Sequence, residues 1–182
     1  MRLLYNPEKA AQAAARLVKL HNGPINALVL MKLLYLADRK ALTESGYTIT
    51  GDAMVSMPHG PVLSRIYDCI QWNEAPWCDY ITERDNHHVS LRTQEPKDDE
   101  LSEYELDVLA DVHHQYGRMG PWEIRRMTHN LPEYKDPNGS SLPIDPVEIL
   151  RLAGKSDQEV AAISRDAENA YLVGRFVQSS NT

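Results

Sequence analysis

The chain has 182 residues, of which 42% are hydrophobic and 25% charged, and its formal net charge at pH 7 is −7. This composition is ordinary for a globular protein, and no window approaches the ~18 uncharged apolar residues of a membrane span. The apolar run at the N-terminus is too short for a signal peptide, and an acidic chain is a poor unspecific binder of nucleic acid. We therefore predict a cytoplasmic protein, one domain over residues 1–182, with no membrane association and no direct nucleic-acid partner.

The charge is unevenly distributed along the chain. Residues 1–50 sum to +4, residues 51–95 to −4 and residues 96–182 to −7. Complementary charge speeds association and suppresses wrong partners. The acidic C-terminal part therefore favours a basic protein partner, which it would steer and cover.

The first part of the chain predicts two packed helices. Asn6 is a good helix cap, and Pro7 and Glu8 fit the first turn of the helix that follows. A second helix, from about residue 25 to residue 44, is so apolar that it should be the central core element. Its obvious solvent residues are Lys32, Asp38, Arg39 and Lys40.

The middle of the chain mixes extended and helical patterns. Residues 47–50 and 53–57 are short extended segments, and a Pro-His-Gly-Pro corner follows at residues 58–61. Pro61 suits the first turn of a helix that reaches about Trp72. Two further short strands, on either side of residues 84–87, predict a β-hairpin that must pack on helices to be stable.

An acidic helix opens the second half of the chain. Ser102 is its predicted cap, and apolar residues form its buried stripe, which leaves Asp107 and Asp111 outside. This acidic face is either simply solvated or a docking surface for a basic partner.

Three more helices are predicted after the acidic one. Pro121 fits the first turn of one, Asp145 caps a short one, and Ser156 with Glu159 forms a capping box at the start of the last. The last two make a C-terminal helical extension over about residues 143–178. The fold class is therefore mainly α, a compact helical domain with a small β-hairpin or short sheet packed on it.

Three blocks of sequence resemble a known family. KLLYLADRKAL at residues 32–42, PHGPVLSRIY at residues 58–67 and PWEIRRMTHNLPEY at residues 121–134 are similar to the Panacea domain of SocA-like, phage-associated antitoxins. The family-like core covers about residues 25–134. The resemblance implies an antitoxin that neutralises a cognate protein toxin, encoded by an adjacent gene, through direct protein–protein binding. Whether the chain also forms a homo-oligomer stays open.

Two sets of residues follow from these observations. For contact with the partner we select residues that are polar and lie in the blocks or on the acidic helix: Asp38, Arg39, His59, Asp107, Asp111 and His129. For holding the fold we select residues of the blocks themselves: Tyr35, Pro58, Gly60, Pro61 and Trp122.

No pattern in the sequence predicts a catalytic centre, a cofactor site or a metal site. Cys69 and Cys78 are too few and too loosely spaced for a metal knuckle, and HExxH and phosphate-loop motifs are missing. We therefore expect no catalysis, no cofactor and no metal. Two alternatives stay open: a regulatory or adaptor protein, for example one that passes its partner to a protease or represses its own operon, and an enzyme that uses His59 and His129.

Overall fold

The structure, a computed structural model, describes residues 1–84 and 87–180, with the side chains of all of these except residues 83, 84 and 177–180. The helices in these ranges are α1 (Pro7–His21), α2 (Ala27–Ser45), α3 (Ser64–Trp72), α4 (Trp77–Tyr80), α5 (Glu103–Tyr116), α6 (Pro121–His129), α7 (Pro146–Leu152) and α8 (Asp157–Ser180). The strands are β1 (Ile25–Asn26), β2 (Met54–Met57), β3 (Gly60–Leu63), β4 (Ile81–Arg84), β5 (His88–Leu91) and β6 (Leu142–Pro143). The predicted fold class, mainly α with a small β component, is confirmed.

Helix α2 is the centre of the fold. It contacts α1, α3, α5, α6 and α7, together with strands β1 and β3. Its apolar residues are buried, as their helical spacing predicts: Val29, Leu30, Leu33, Leu34, Leu36, Ala37, Ala41 and Leu42. Neighbours on so many sides leave little of the helix for solvent. For that reason the prediction that Lys32 and Asp38 face solvent is wrong, since the exposed fraction of each is 0%.

The strands form two small antiparallel sheets. One has the order β1-β5-β4, and the other has the order β3-β2-β6. The predicted hairpin is the β4–β5 pair, in which Thr82 lies opposite Ser90; Asp85 and Asn86 of its loop lie outside the described residues. Strand β1 extends this hairpin through Ile25, which lies opposite Val89, so α2 begins two residues later than the sequence predicts.

The corner at residues 58–61 is a second hairpin. Met57 at the end of β2 lies opposite Gly60 at the start of β3, so Pro58 and His59 form a two-residue turn. Pro61 was predicted in the first turn of a helix, but it lies in β3 opposite Ser56. Strand β3 is at the edge of its sheet, where a residue without a backbone N–H is tolerated. The hairpin turn at Pro58 and His59 is named the His59 turn below.

Two segments differ from the prediction because carboxylates from elsewhere in the chain bind their backbone. Residues 47–50, predicted as a short strand or an extended arm, lie in neither sheet, and the N–H groups of Ile49 and Thr50 donate to Asp38 instead. Helix α3 starts at Ser64 rather than Pro61, and the N–H groups of its first turn donate to the Asp52 carboxylate.

The helix caps agree with the sequence. At the start of α5, the Glu105 N–H donates to Ser102 Oγ at 3.3 Å, and the Ser102 N–H donates to Glu105 Oε2 at 2.8 Å. Replacing Ser102 with Ala should lower the free energy of unfolding by about 1 kcal/mol, because the first turn loses its side-chain acceptor. Urea unfolding measures the change, and Ser140→Ala in an exposed loop is the control. Equal stability of the two variants would contradict the role of the cap.

No helix in the described part of the chain is both long enough and apolar enough to cross a membrane.

Candidate partner-binding site

The polar residues of α2 connect the central helix to distant segments. Lys32 donates from Nζ to the carbonyl of Pro61 at 2.8 Å, and it is completely buried. Burial, together with the positive charge of Arg125, lowers the pKa of Lys32 to about 7. The ammonium group therefore lies directly behind the His59 turn, at the point where β3 meets α2.

Gly60 allows this close approach. Its φ is 94°, in the left-handed region. A Cβ at this position would lie 2.9 Å from His129 Cδ2 and 3.0 Å from Lys32 Nζ. Both the backbone conformation and the space therefore require glycine.

A second connection runs from α2 to the segment after α6. Glu133 is buried, with an exposed fraction of 1%. Its Oε1 accepts from the Tyr35 hydroxyl at 2.9 Å and from Arg39 Nε at 2.6 Å, and its Oε2 accepts from Arg39 Nη2 at 3.2 Å. Burial raises the pKa of Tyr35. Arg39, predicted to contact a partner, is thus engaged within the chain and only partly exposed.

Asp38 makes the third connection. Its carboxylate accepts from the N–H groups of Ile49 and Thr50, each at 3.0 Å, and from the Thr50 hydroxyl. Burial raises the pKa of Asp38 to about 7, against the opposing effect of these hydrogen bonds. A completely buried carboxylate cannot touch another protein, so the prediction that Asp38 contacts a partner is wrong.

Helix α6 packs beside the His59 turn. Arg125 donates from Nη2 to the carbonyl of Pro58 at 3.2 Å, and the ring of His129 stacks on Tyr134 with centroids 4.4 Å apart. The Tyr134 hydroxyl in turn donates to the carbonyl of Met57 at 3.2 Å. Burial, followed by the charges of Arg125 and Lys32, lowers the pKa of His129. Two buried nitrogens here, Arg125 Nε and His129 Nε2, have no hydrogen-bond partner.

The outer part of α6 carries an exposed aromatic residue. Trp122, which was predicted to hold the fold, has an exposed fraction of 64% and is not a core residue. Ile124 and Thr128 are the buried positions of this helix, so Trp122 falls on the opposite side. The spacing of Trp122, Arg125, Arg126 and His129 places all four on one side of α6. These four residues and the His59 turn are called the α6 corner below.

The blocks that build this corner decide the family. The family model described as "Antitoxin SocA-like, Panacea domain" matches residues 30–135, more than half of the chain. The chain belongs to this family. No curated protein and no solved structure matches it.

The match to the Panacea domain model includes the residues of α2 and their hydrogen-bond partners described above. Lys32, Tyr35 and Asp38 lie near its beginning, and Glu133 lies near its end. The part of α2 that makes these contacts, the His59 turn and α6 are therefore all within the matched region.

A groove lies beside the His59 turn of the Panacea domain. Its volume is about 470 Å³. His59 is one of its lining residues and is exposed. The lining residues are mainly apolar and come from α2, the β2–β3 hairpin, α3 and the loop before β6: Leu28, Met31, Met57, Pro58, His59, Gly60, Val62, Tyr67, Gly139, Ser140 and Ser141.

The predicted contact residues of the Panacea domain fall into separate places. The α6 corner brings together His59, which is exposed, and His129, which is half-buried. Asp107 and Asp111 are exposed on α5, and an Asp111 oxygen lies 3.5 Å from Lys40 Nζ on α2. The six residues therefore do not form one site: four lie at two surfaces, and Arg39 and Asp38 are engaged inside the chain.

Arg125 and Arg126 are not among the residues selected from the sequence, and the contact of Arg125 with the His59 turn was therefore missed. The available signal was their position in the same block as His129, at helical spacing from Trp122. The described residues contain no group of three or more His, Cys, Asp or Glu side chains arranged to hold a metal ion.

Proposed function

We propose that this chain is an antitoxin that neutralises a cognate protein toxin by direct protein–protein binding. The match of the antitoxin SocA-like, Panacea domain model to residues 30–135 carries the proposal. The toxin is expected from an adjacent gene, and neutralisation is occlusion of the toxin's working site without covalent change.

The exposed residues of the chain support such a contact. His59 and part of His129 lie at the α6 corner, whereas Asp107 and Asp111 lie on the outer face of α5. Like the net charge of −7, the carboxylates of α5 favour a partner with basic surface, because complementary potentials steer encounter. Arg39 mainly forms the ion pair with Glu133, and the part of its side chain that remains exposed is available to a partner.

The proposal predicts rescue of growth. Expression of the adjacent gene product alone should stop growth of the host, and co-expression of this chain should restore it. The two proteins should also be recovered as a complex from a pull-down. A variant that cannot fold, Leu34→Asp in the buried face of α2, is the control and should not rescue.

Two results would contradict the proposal: an adjacent gene product without toxicity, or toxicity that co-expression leaves unchanged. If rescue occurs while the toxin level falls only when a particular protease is present, the chain is a proteolytic adaptor instead. An enzyme would lose rescue on His59→Ala while folding and binding of the partner stay intact.

A further inference from the structure

We propose that the α6 corner and the groove beside it bind one acidic segment of the partner protein. An apolar side chain of that segment enters the groove, and a carboxylate next to it binds the cations of α6. The identity of the partner as a toxin rests on the proposed function; the chemistry of the surface rests on the observations below.

The first observation is a concentration of positive charge without counter-ions. Among the side chains that the structure describes, no carboxylate forms an ion pair with Arg125 or Arg126. Lys32 is completely buried, so it is not part of this exposed charge. Asp136 acts on His129 through its charge, but more weakly than Arg125 and Lys32 do. In a chain with a net charge of −7, unpaired cations gathered at one corner are complementary to a carboxylate from another molecule.

The second observation is unsatisfied hydrogen bonding in the same place. Arg125 Nε and His129 Nε2 are buried and have no partner. A buried donor left unpaired costs the free energy of its desolvation. Four further atoms of the described residues are in the same state outside this corner: Arg16 Nε, Asn73 Oδ1, Ser90 Oγ and His113 Nε2. A carboxylate of the partner would give Arg125 Nε its acceptor only if the Arg125 side chain turned outward, because this nitrogen is closed to solvent in the isolated chain. Binding would then remove a cost that the isolated chain carries.

The third observation is the chemistry of the exposed side of α6. Trp122 is 64% exposed, and Arg126 is exposed on the same side of the helix. Trp and Arg are the side chains most enriched among residues that dominate binding energy in protein interfaces. A large aromatic side chain next to a cation therefore provides an anchor at the edge of the corner.

The groove provides the apolar half of the site. Two of its lining side chains, Met31 and Met57, are half-buried thioethers, and Tyr67 contributes a ring. Flexible Met side chains adapt to apolar groups of different shape. Pro58 and His59 line the groove, and Pro58 also accepts the hydrogen bond from Arg125. The groove and α6 therefore lie on two sides of the His59 turn. An extended segment of three residues, about 10 Å long, could place an apolar side chain in the groove and an acidic side chain at α6.

A protein segment fits these features better than a nucleic acid. The groove is lined mainly by apolar side chains, and the chain as a whole is acidic. Phosphate backbones are bound by extended basic surfaces. The exposed cations here are confined to one helix beside an apolar groove.

The test uses the full chain and two matched variants. Arg126→Glu reverses a charge at the α6 corner, and Arg165→Glu makes the same change at an exposed position of α8. Both positions are exposed, so both variants should keep the unfolding midpoint of the wild-type protein, which circular dichroism checks.

The probe is a displayed library of random 12-residue peptides, selected on the immobilised wild-type chain. The enriched peptides should contain an apolar residue within about three positions of Asp or Glu. Fluorescence polarisation with the synthesised peptides should show affinity reduced about 10-fold or more by Arg126→Glu, and by less than about 2-fold by Arg165→Glu. Selection without enrichment, or equal binding to both variants, would overturn the proposal.

The growth assay separates this inference from the proposed function. If the wild-type chain rescues growth and Arg126→Glu rescues equally well with unchanged affinity for the toxin, the proposal that the α6 corner binds the partner is wrong. The antitoxin function is then still supported. If the wild-type chain does not rescue growth, the proposed antitoxin function is wrong. The peptide measurement alone then tests whether the α6 corner binds an acidic segment. Labelled 20-nucleotide single- and double-stranded DNA is the last probe. Binding of DNA that Arg126→Glu abolishes, in the absence of peptide binding, would overturn the proposal in favour of a nucleic acid.

Discussion

Replacing Glu133 with Ala should lower the free energy of unfolding by about 3 kcal/mol, because it removes one member of a buried charged pair. Glu133 accepts two hydrogen bonds from Arg39 and one from the Tyr35 hydroxyl. Without the carboxylate, the buried hydroxyl of Tyr35 has no acceptor, and Arg39 keeps a partly desolvated charge. Urea unfolding followed by circular dichroism measures the loss.

Two further variants test whether the loss comes from the missing charge of Glu133. One keeps the shape of its side chain, and the other removes an exposed carboxylate elsewhere. Glu133→Gln keeps an acceptor oxygen for Tyr35 but brings an amide N–H₂ group towards Arg39, so its loss should be smaller than that of Glu133→Ala. Glu148→Ala breaks the exposed ion pair with Lys135 and should cost less than about 1 kcal/mol, since solvent screens both charges. A loss at Glu133→Ala no larger than at Glu148→Ala would show that Glu133 does not hold α2 to the segment after α6.

The elements that sequence predicted well are those determined by neighbouring residues. The apolar spacing of α2 predicted the central helix, and the caps at Asn6, Ser102 and Asp145 accept backbone hydrogen bonds at the predicted helix starts. These signals act within one or two turns of the chain, so a single sequence contains them in full.

The errors arise where distant segments meet. Lys32 and Asp38 were placed in solvent because charged residues on a helix usually lie there. Their actual partners are the Pro61 carbonyl and the backbone near Thr50, later in the chain. A charge pattern within one helix does not reveal such a partner.

In the candidate site too, sequence predicted the features of local segments but not the contacts between distant ones. That His59 and His129 belong to two blocks of one family could be read from the sequence, but their meeting beside Lys32 depends on how α6 packs on β3. The exposure of Trp122 was missed for a related reason, since a tryptophan near a helix start is compatible with either side of the helix. Only the burial of Ile124 and Thr128 decides which side faces outward.

The pH dependence of stability should reveal the buried ammonium group of Lys32. Its ordinary pKa of 10.5 is lowered to about 7 by burial, followed by the charge of Arg125. Between these two pKa values the unfolded chain binds a proton that the folded chain does not, so the free energy of unfolding rises with pH. The cost of burying Lys32 is absent above the higher pKa, and it grows as the pH falls towards 7. The free energy of unfolding of the wild-type protein, relative to Lys32→Met, should therefore rise by about 2–3 kcal/mol between pH 7 and pH 9.5.

The comparison of the two proteins separates Lys32 from the titrating groups that do not depend on its charge; His129, whose pKa Lys32 lowers, titrates below this pH range. Asp38 and the tyrosines are present in both, so their contributions cancel in the difference. Lys32→Met also leaves the Pro61 carbonyl without its donor, which costs about 1–3 kcal/mol but does not vary with pH. Lys135→Met, at an exposed position, is the control and should give a curve parallel to that of the wild-type protein. If Lys32→Met is also parallel to the wild type from pH 7 to pH 9.5, the ammonium group keeps its ordinary pKa and is solvated. The close packing of α2, the His59 turn and α6 would then be wrong.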